Sequence, residues 1–123
     1  AHSLGCILTA WWARHAPPAV VGKVQAALLV APGDVEQADL RQHLPGRVPI
    51  ARQRLPFAAV VVGSQNDPYC RLERAQQLAA DWGAQWVDAG AAGHINSASQ
   101  LGDWPQGHAL LQDLVKDSVH GKR

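Results

Sequence analysis

Three residues of the sequence could together activate a nucleophile, and they occur in the order Ser3, Asp67 and His94. A histidine can take the proton of a serine hydroxyl, and a carboxylate can orient that histidine and stabilise its cationic form. The activated serine oxygen could then attack an acyl carbon. The residue types therefore suggest nucleophilic acyl chemistry, with Ser3 as the nucleophile, Asp67 as the acid and His94 as the base.

The residues around Ser3 match the small-x-Ser-x-small pattern of a nucleophile elbow, a sharp turn from a strand into a helix. Ala1 occupies the first small position and Gly5 the second. Small side chains suit these positions because the serine backbone is strained and the strand and helix approach closely. A helix that starts after Ser3 would direct N–H groups towards a developing oxyanion. The backbone N–H of Leu4 is predicted to be one oxyanion-hole donor.

The apolar pattern predicts alternating helices and strands along the whole chain. Strands are predicted at residues 24–31, 57–63 and 85–88; helices are predicted at residues 4–15, from Asp34 through Leu40 and Leu44, at residues 69–82 and at residues 108–119. The first helix is apolar nearly all round, which predicts burial on most sides. This alternation is typical of the α/β class with a parallel sheet and right-handed crossovers.

The predicted elements place the three candidate residues on one rim of the sheet. In open parallel sheets, functional residues lie at the carboxyl ends of the strands. Asp67 follows the second predicted strand and His94 follows the third, while Ser3 stands where a preceding strand would lead into a helix. We therefore expect His94 to lie within hydrogen-bond reach of both Asp67 and Ser3.

Each of these residues also has a purely structural alternative. Ser3 could be a helix N-cap. Asp67 precedes Pro68, as an N-cap precedes a proline at the first helical position. His94 follows Gly93 and could be a loop histidine that bonds to backbone. Three suitable residue types in one order, each after a suitable element, favour the chemical interpretation.

Other candidate residues have weaker support. Asp88 also ends a predicted strand and is a rival for the role of the acid. Cys6 lies on the predicted buried helix, where packing explains it better than nucleophilic chemistry does. Asp103 and His108 have no further ligand at metal spacing, so no metal and no other cofactor is predicted.

Composition and charge argue against several other classes of protein. The 123 residues suffice for one domain. Eleven basic and ten acidic residues give a net charge of +1, which offers no reason to expect a nucleic-acid or anionic-membrane partner. No apolar stretch approaches the ~20 residues that span a bilayer. No signal peptide is visible, and Cys6 and Cys70 are expected to be free thiols, so a cytoplasmic location is predicted.

Four blocks of the sequence resemble the small α/β-hydrolases related to retinoblastoma-binding protein nine, a group of serine hydrolases. The blocks are A-H-S-L-G-C at residues 1–6, S-Q-N-D-P-Y-C at 64–70, G-A-A-G-H-I-N at 90–96 and G-D-W-P-Q-G at 102–107. The resemblance implies an α/β-hydrolase fold, with Ser3 as nucleophile, Asp67 as acid and His94 as base. It also implies activity on a small ester or related acyl compound. A non-catalytic binding domain that retains the fold is the alternative.

Members of that family have a further N-terminal segment ahead of the nucleophile. We therefore expect residues 1–123 to form a single α/β-hydrolase domain that is truncated at the nucleophile elbow. Its N-terminal strands would be missing, leaving three parallel strands with helices on both faces. The loop with the second oxyanion donor would also be missing. The strand at residues 24–31 would then have a bare edge, so the chain is expected to self-associate or to retain the missing segment.

Overall fold

A parallel sheet of three strands organises the computed structural model, which describes residues 1–37 and 50–120. The strands are β1 (Ala26–Val30), β2 (Ala58–Gly63) and β3 (Gln85–Asp88), and they lie in the order β1-β2-β3. β2 is the central strand and contains three consecutive valines, which suit a strand that is buried on both faces. The predicted α/β class with a parallel sheet is confirmed.

The described helices are α1 (Leu4–His15), the short α2 (Pro18–Val21), α3 (Leu72–Trp82) and α4 (Pro105–His120), and a 3-10 turn covers Ser97–Ser99. Two separate apolar clusters hold α1, α3 and α4 to the sheet. Val61 packs in one cluster with Ile7 of α1 and Trp82 of α3. Val62 packs in the other cluster with Leu114 of α4. Because successive strand residues point to opposite faces, helices cover both faces of the sheet. No helix in the described ranges is long and apolar enough to cross a membrane.

Two predicted helices begin at other residues than expected. α3 starts at Leu72 rather than at residue 69, and Arg71 is its N-cap residue. α4 starts at Pro105 rather than at residue 108, because proline suits the first turn of a helix. Of the helix predicted from Asp34, the described part up to Gln37 forms a turn. Leu40 and Leu44 lie outside the described residues.

α1 is more exposed than its apolar sequence predicts. Cys6 and Ile7 are buried, whereas Leu8 is 40% exposed and Trp11 is 54% exposed. Leu8 and Trp11 lie one turn apart, and the Trp11 ring stacks on that of His15. The prediction of burial on most sides is therefore wrong for the described structure. An apolar pattern alone does not establish whether another element covers each face of a helix.

The first residues of the chain pair with the edge of β1. The Val30 N–H donates to the Ala1 carbonyl at 2.9 Å, and the Ser3 N–H donates to the Val30 carbonyl at 2.9 Å. The Ala1 amino group donates to the Leu28 carbonyl, and His2 and Val30 form a parallel bridge. The edge that was predicted to be bare is therefore paired at its carboxyl end. This pairing brings Ser3 to the rim where the loops after β2 and β3 also lie.

Candidate active site

Ser3 occupies a strained turn at the start of α1. Its φ is 56° and its ψ is −121°, a conformation that L-residues rarely adopt. Backbone strain of this kind costs about 1–3 kcal/mol and is found where the surrounding structure imposes it, often at active sites. The Ser3 hydroxyl makes no capping bond to α1, so the N-cap alternative for Ser3 is wrong. The turn instead directs the hydroxyl towards the loop after β3.

Asp67 and His94 meet across the carboxyl ends of β2 and β3. Nδ1 of His94 lies 2.9 Å from Oδ1 of Asp67 and 3.0 Å from Oδ2. The Asp67 side chain is only 2% exposed and that of His94 only 10% exposed, so little water competes for this contact. Asp67 also accepts the Tyr69 N–H at 2.9 Å, which holds its carboxylate in a turn before α3. Asp67 therefore lies in a loop, and α3 begins five residues later.

Ser3 and His94 are also in direct contact. Oγ of Ser3 lies 2.8 Å from Nε2 of His94. Because the Asp67 carboxylate can only accept, Nδ1 of a neutral His94 must carry the hydrogen, which leaves Nε2 as an acceptor for the Ser3 hydroxyl. The structure thus brings together the three residues that the sequence singles out. Such a line of groups can draw a proton from a serine oxygen as that oxygen attacks an electrophile.

Asp88, the rival acid, lies elsewhere in the rim. Its Oδ1 accepts the Gly90 N–H at 2.7 Å, and its Oδ2 accepts from Nε2 of Gln65 at 3.1 Å. The first contact shapes the loop after β3, and the second ties the end of β3 to the loop after β2. Asp88 therefore shapes the loop that carries His94, and its carboxylate is bonded to groups other than the imidazole.

The family to which the chain belongs is given by its sequence. The sequence profile of the serine hydrolase family matches residues 1–113. The chain belongs to this family. No protein of curated function matches it.

Two solved structures are similar to this chain. One, from Pectobacterium atrosepticum, is named a YdeN-like hydrolase; it is 26% identical with a TM-score of 0.78, and the match covers 95% of this chain and 58% of that one. The other, from Coxiella burnetii, is named an alpha-beta serine hydrolase homologue. It is 15% identical with a TM-score of 0.53, and the match covers 94% of this chain and 46% of that one. The chain thus spans about half the length of these structures.

Ser64 and Asn66 hold the loop that carries His94. Ser64 is 2% exposed, and its hydroxyl accepts the Ala92 N–H at 2.9 Å. Oδ1 of Asn66 accepts the Gly93 N–H at 2.7 Å. The loop after β2 thus supplies both the carboxylate that contacts the imidazole and the groups that fix the backbone just before it. Ser64 is buried and paired, and polar groups of this kind rigidify their surroundings, whereas Asn66 is exposed.

A cavity of about 300 Å³ opens beside Ser3 and His94. Its other lining residues are Leu4, Gly33, Val35, Tyr69 and Asn96. No Asp, Glu, Lys or Arg occurs among the described residues that line it. Leu4 is the first residue of α1, and its N–H has no hydrogen-bond partner within the described structure. This N–H is therefore available to an oxygen atom of a bound molecule, as expected for an oxyanion-hole donor.

Glu36 anchors the cavity loop that contains Gly33 and Val35. Its carboxylate accepts the Ile50 N–H at 2.8 Å and pairs with the guanidinium groups of Arg52 and Arg74. Burial acts to raise the pKa of Glu36, but the Ile50 N–H and the two arginines outweigh it, so this pKa lies below its usual value. The loop is therefore tied to α3 by charges that persist at neutral pH.

The two thiols near the site are poor nucleophiles. Burial raises the pKa of Cys6 to about 12, and its Sγ contacts the Val30 carbonyl. Burial, together with the charges of Asp34 and Asp67, raises the pKa of Cys70 to about 12. Both thiols are therefore protonated at neutral pH, as a packing role predicts. Among side chains 1–37 and 50–117, no group of three His, Cys, Asp or Glu could hold a metal ion.

The sequence did not single out four residues that shape the site. Gly33 lies beside Ser3, and Tyr69 and His2 contact His94. Each of these contacts joins residues that are far apart in the sequence. Asn66 carried only a partial signal, because asparagine side chains in turns often bond nearby backbone groups, whereas its observed partner, the Gly93 N–H, lies 27 positions away. His2 was visible beside the nucleophile, but its spacing alone gave it no partner.

Proposed function

We propose that this chain provides the nucleophile, acid and base of a serine esterase that acts on a small ester or related acyl compound. The main support is the chain of hydrogen bonds from Asp67 through His94 to Ser3. The distances from Nδ1 of His94 to the two Asp67 oxygens and from Nε2 to Oγ of Ser3 are all between 2.8 and 3.0 Å. The strained Ser3 backbone supports the proposal, since a hydroxyl that served only as a helix cap would not require a positive φ.

In the first half of the proposed reaction, Oγ of Ser3 attacks the carbonyl carbon of the ester. Its proton passes to Nε2 of His94, and Asp67 stabilises the imidazolium that results. The carbonyl oxygen becomes an oxyanion and accepts the N–H of Leu4 at the positive end of α1. Collapse of the tetrahedral intermediate breaks the bond to the alcohol oxygen, which takes the proton from His94. An acyl-Ser3 ester and a free alcohol remain.

In the second half, water replaces the alcohol. His94 removes a proton from the water as its oxygen attacks the acyl carbon, and a second tetrahedral intermediate forms. Its collapse breaks the bond to Oγ of Ser3, which regains the proton from His94. The carboxylic acid leaves and the starting state is restored. The same three side chains thus serve both halves. Ser3 is the attacking group in the first half and the leaving group in the second.

We propose that the substrate is small and uncharged at its acyl end. The cavity beside Ser3 is near the lower limit of ligand sites, about 300–1,000 Å³. Leu4, Val35 and the Tyr69 ring give it an apolar lining. A charged acyl group would lose its hydration there without gaining an opposite charge among the described lining residues.

Gly33 is expected to keep space open for the acyl group. A Cβ added at Gly33 would lie 3.5 Å from Oγ of Ser3 and 3.8 Å from the nitrogen of Leu4, between the nucleophile and the oxyanion donor. The φ of Gly33 lies outside the left-handed region, so alanine fits the backbone. We expect Gly33→Ala to reduce kcat/KM for an aryl acetate by about 10–100-fold, because misplacement of the reacting atoms by about 1 Å has such effects.

Gly5→Ala is the matched control for Gly33→Ala. Its Cβ would make an ordinary contact of 3.6 Å with Cβ of Ala1 and would not face Oγ of Ser3. Both variants should keep the melting temperature of the parent within a few degrees. Equal kcat/KM values for Gly33→Ala and the parent would show that substrate does not occupy the space beside Gly33.

A fluorophosphonate probe tests the proposed function directly. The probe phosphonylates serines that a neighbouring base activates, so we expect covalent labelling of the folded protein, located at Ser3 by peptide mass spectrometry. Heat-unfolded protein and the Ser3→Ala variant should not be labelled. A folded protein that stays unlabelled would instead indicate the alternative, a binding domain that retains the fold.

Two finer assignments also remain proposals. We propose that the chain is related to the hydrolases that resemble retinoblastoma-binding protein nine, because the sequence blocks of this resemblance contain Asp67, His94 and the loops around them. We also propose a cytoplasmic location, which the two unpaired and buried cysteines, Cys6 and Cys70, support.

A further inference from the structure

A second histidine contacts the base of the site. Nε2 of His2 lies 2.8 Å from the backbone carbonyl oxygen of His94, across 92 positions of the sequence. The two imidazole rings are 4.7 Å apart between centroids. The reaction described above assigns no role to His2, although this residue directly precedes the nucleophile.

The contact requires a hydrogen on Nε2 of His2. A carbonyl oxygen can only accept, so the imidazole must donate. The Nε2–H tautomer of the neutral ring and the protonated ring both carry a hydrogen at this position. The bond can therefore persist whether or not His2 is charged.

His2 is itself fixed to the sheet. Its backbone forms a parallel bridge with Val30, and the bonds of Ala1 and Ser3 to Val30 enclose it on both sides. Its side chain thus ties the His94 backbone to the strand end that carries the nucleophile. Ser64 and Asn66 hold the same loop from the side of β2, before His94.

Two hydrogen bonds and one ring contact position different parts of His94. Asp67 sets the rotation of the imidazole through Nδ1, and the Tyr69 ring packs against the imidazole at 4.6 Å in an edge-on contact. Neither contact fixes the distance between the His94 backbone and Ser3. The bond from His2 to the His94 carbonyl fixes this distance, because His2 and Ser3 are neighbours in the chain.

We propose that His2 is a positioning residue that sets the distance between nucleophile and base. This inference rests on the proposed function, because it concerns the same proton transfer. His2 does not line the cavity beside Ser3, so its loss should lower kcat and leave KM nearly unchanged.

The test compares variants that keep or remove the donor. His2→Phe keeps a ring beside His94 but removes the donor, and we expect kcat to fall about tenfold with KM within about twofold of the parent. His2→Gln should restore most of the lost kcat, because its amide nitrogen reaches the place of Nε2. His2→Asn should not, because its amide is one carbon shorter. The assays use an aryl ester and the full protein as its gene encodes it.

His15→Phe is the matched control, because His15 is also exposed and its Nδ1 contacts a backbone carbonyl, that of Trp11. It should leave kcat unchanged. Should His2→Phe fail to fold, the kcat values of His2→Gln and His2→Asn still show whether the donor at this position matters.

Equal kcat for the Gln and Asn variants, or a change confined to KM, overturns the role of His2 while the parent stays active. A parent that neither turns over ester nor reacts with the fluorophosphonate overturns the proposed function and this inference with it.

Discussion

Replacement of either Ser3 or His94 by alanine is expected to lower kcat for a small aryl ester by about 10⁴-fold or more. Ser3→Ala removes the attacking oxygen, and His94→Ala removes the group that takes its proton at 2.8 Å. The double variant should be hardly slower than either single variant, because the two residues act in one proton transfer. If the two residues contributed independently, the fold losses in kcat of the single variants would instead multiply in the double variant.

Steady-state kinetics on the parent, the two single variants and the double variant check this expectation. Ser3→Ala should also relieve little of the backbone strain, since alanine keeps a Cβ at a φ of 56°. Thermal melting identifies any variant that loses its fold, and only folded variants enter the comparison. Losses that multiply in the double variant would mean that Ser3 and His94 do not share one chemical step.

The sheet and the order of the candidate residues could be predicted because each depends on local sequence. The Val60-Val61-Val62 run is β-branched and ends in Gly63, which placed β2 within one residue of its observed start. A serine, an aspartate and a histidine that follow such elements share one rim once the sheet is parallel. Their joint position required no knowledge of a distant contact.

Other features of the site depend on how distant segments approach each other. The role of His2 needs the loop after β3 to come within 2.8 Å of the first residues of the chain. Gly33 matters only because β1 ends beside the elbow. The exposure of Leu8 and Trp11 depends on which element covers α1, and the periodicity of a helix carries no such information. The late start of α3 has a local cause instead, because the Asp67 carboxylate accepts the Tyr69 N–H and so forms a turn before the helix.

Asp67→Asn and Asp88→Asn test which carboxylate orients the base. In Asp67→Asn, Oδ1 can still accept the Tyr69 N–H, so the loop should keep its shape. The new amide NH₂ then takes the place of Oδ2, which lies 3.0 Å from Nδ1 of His94, while Oδ1 lies 2.9 Å from Nδ1 and also accepts the Tyr69 N–H. A hydrogen on Nδ1 would therefore face the amide donor as well as Oδ1, whereas an Nδ1 without a hydrogen would accept from the amide. The variant thus shifts a neutral His94 towards the Nε2–H tautomer, which cannot accept the proton of Ser3.

The expected loss in kcat for Asp67→Asn is about 10⁴-fold at neutral pH, the size of the effect when the corresponding tautomer is lost in another serine hydrolase. Asp88→Asn keeps the acceptor for the Gly90 N–H and weakens only the exposed contact with Gln65. Its kcat should stay within about threefold of the parent, because one exposed hydrogen bond contributes little. Parallel assays of kcat and melting temperature decide the matter. Comparable losses in the two folded variants would make Asp88 as important to the base as Asp67, and the acid would have to be reassigned.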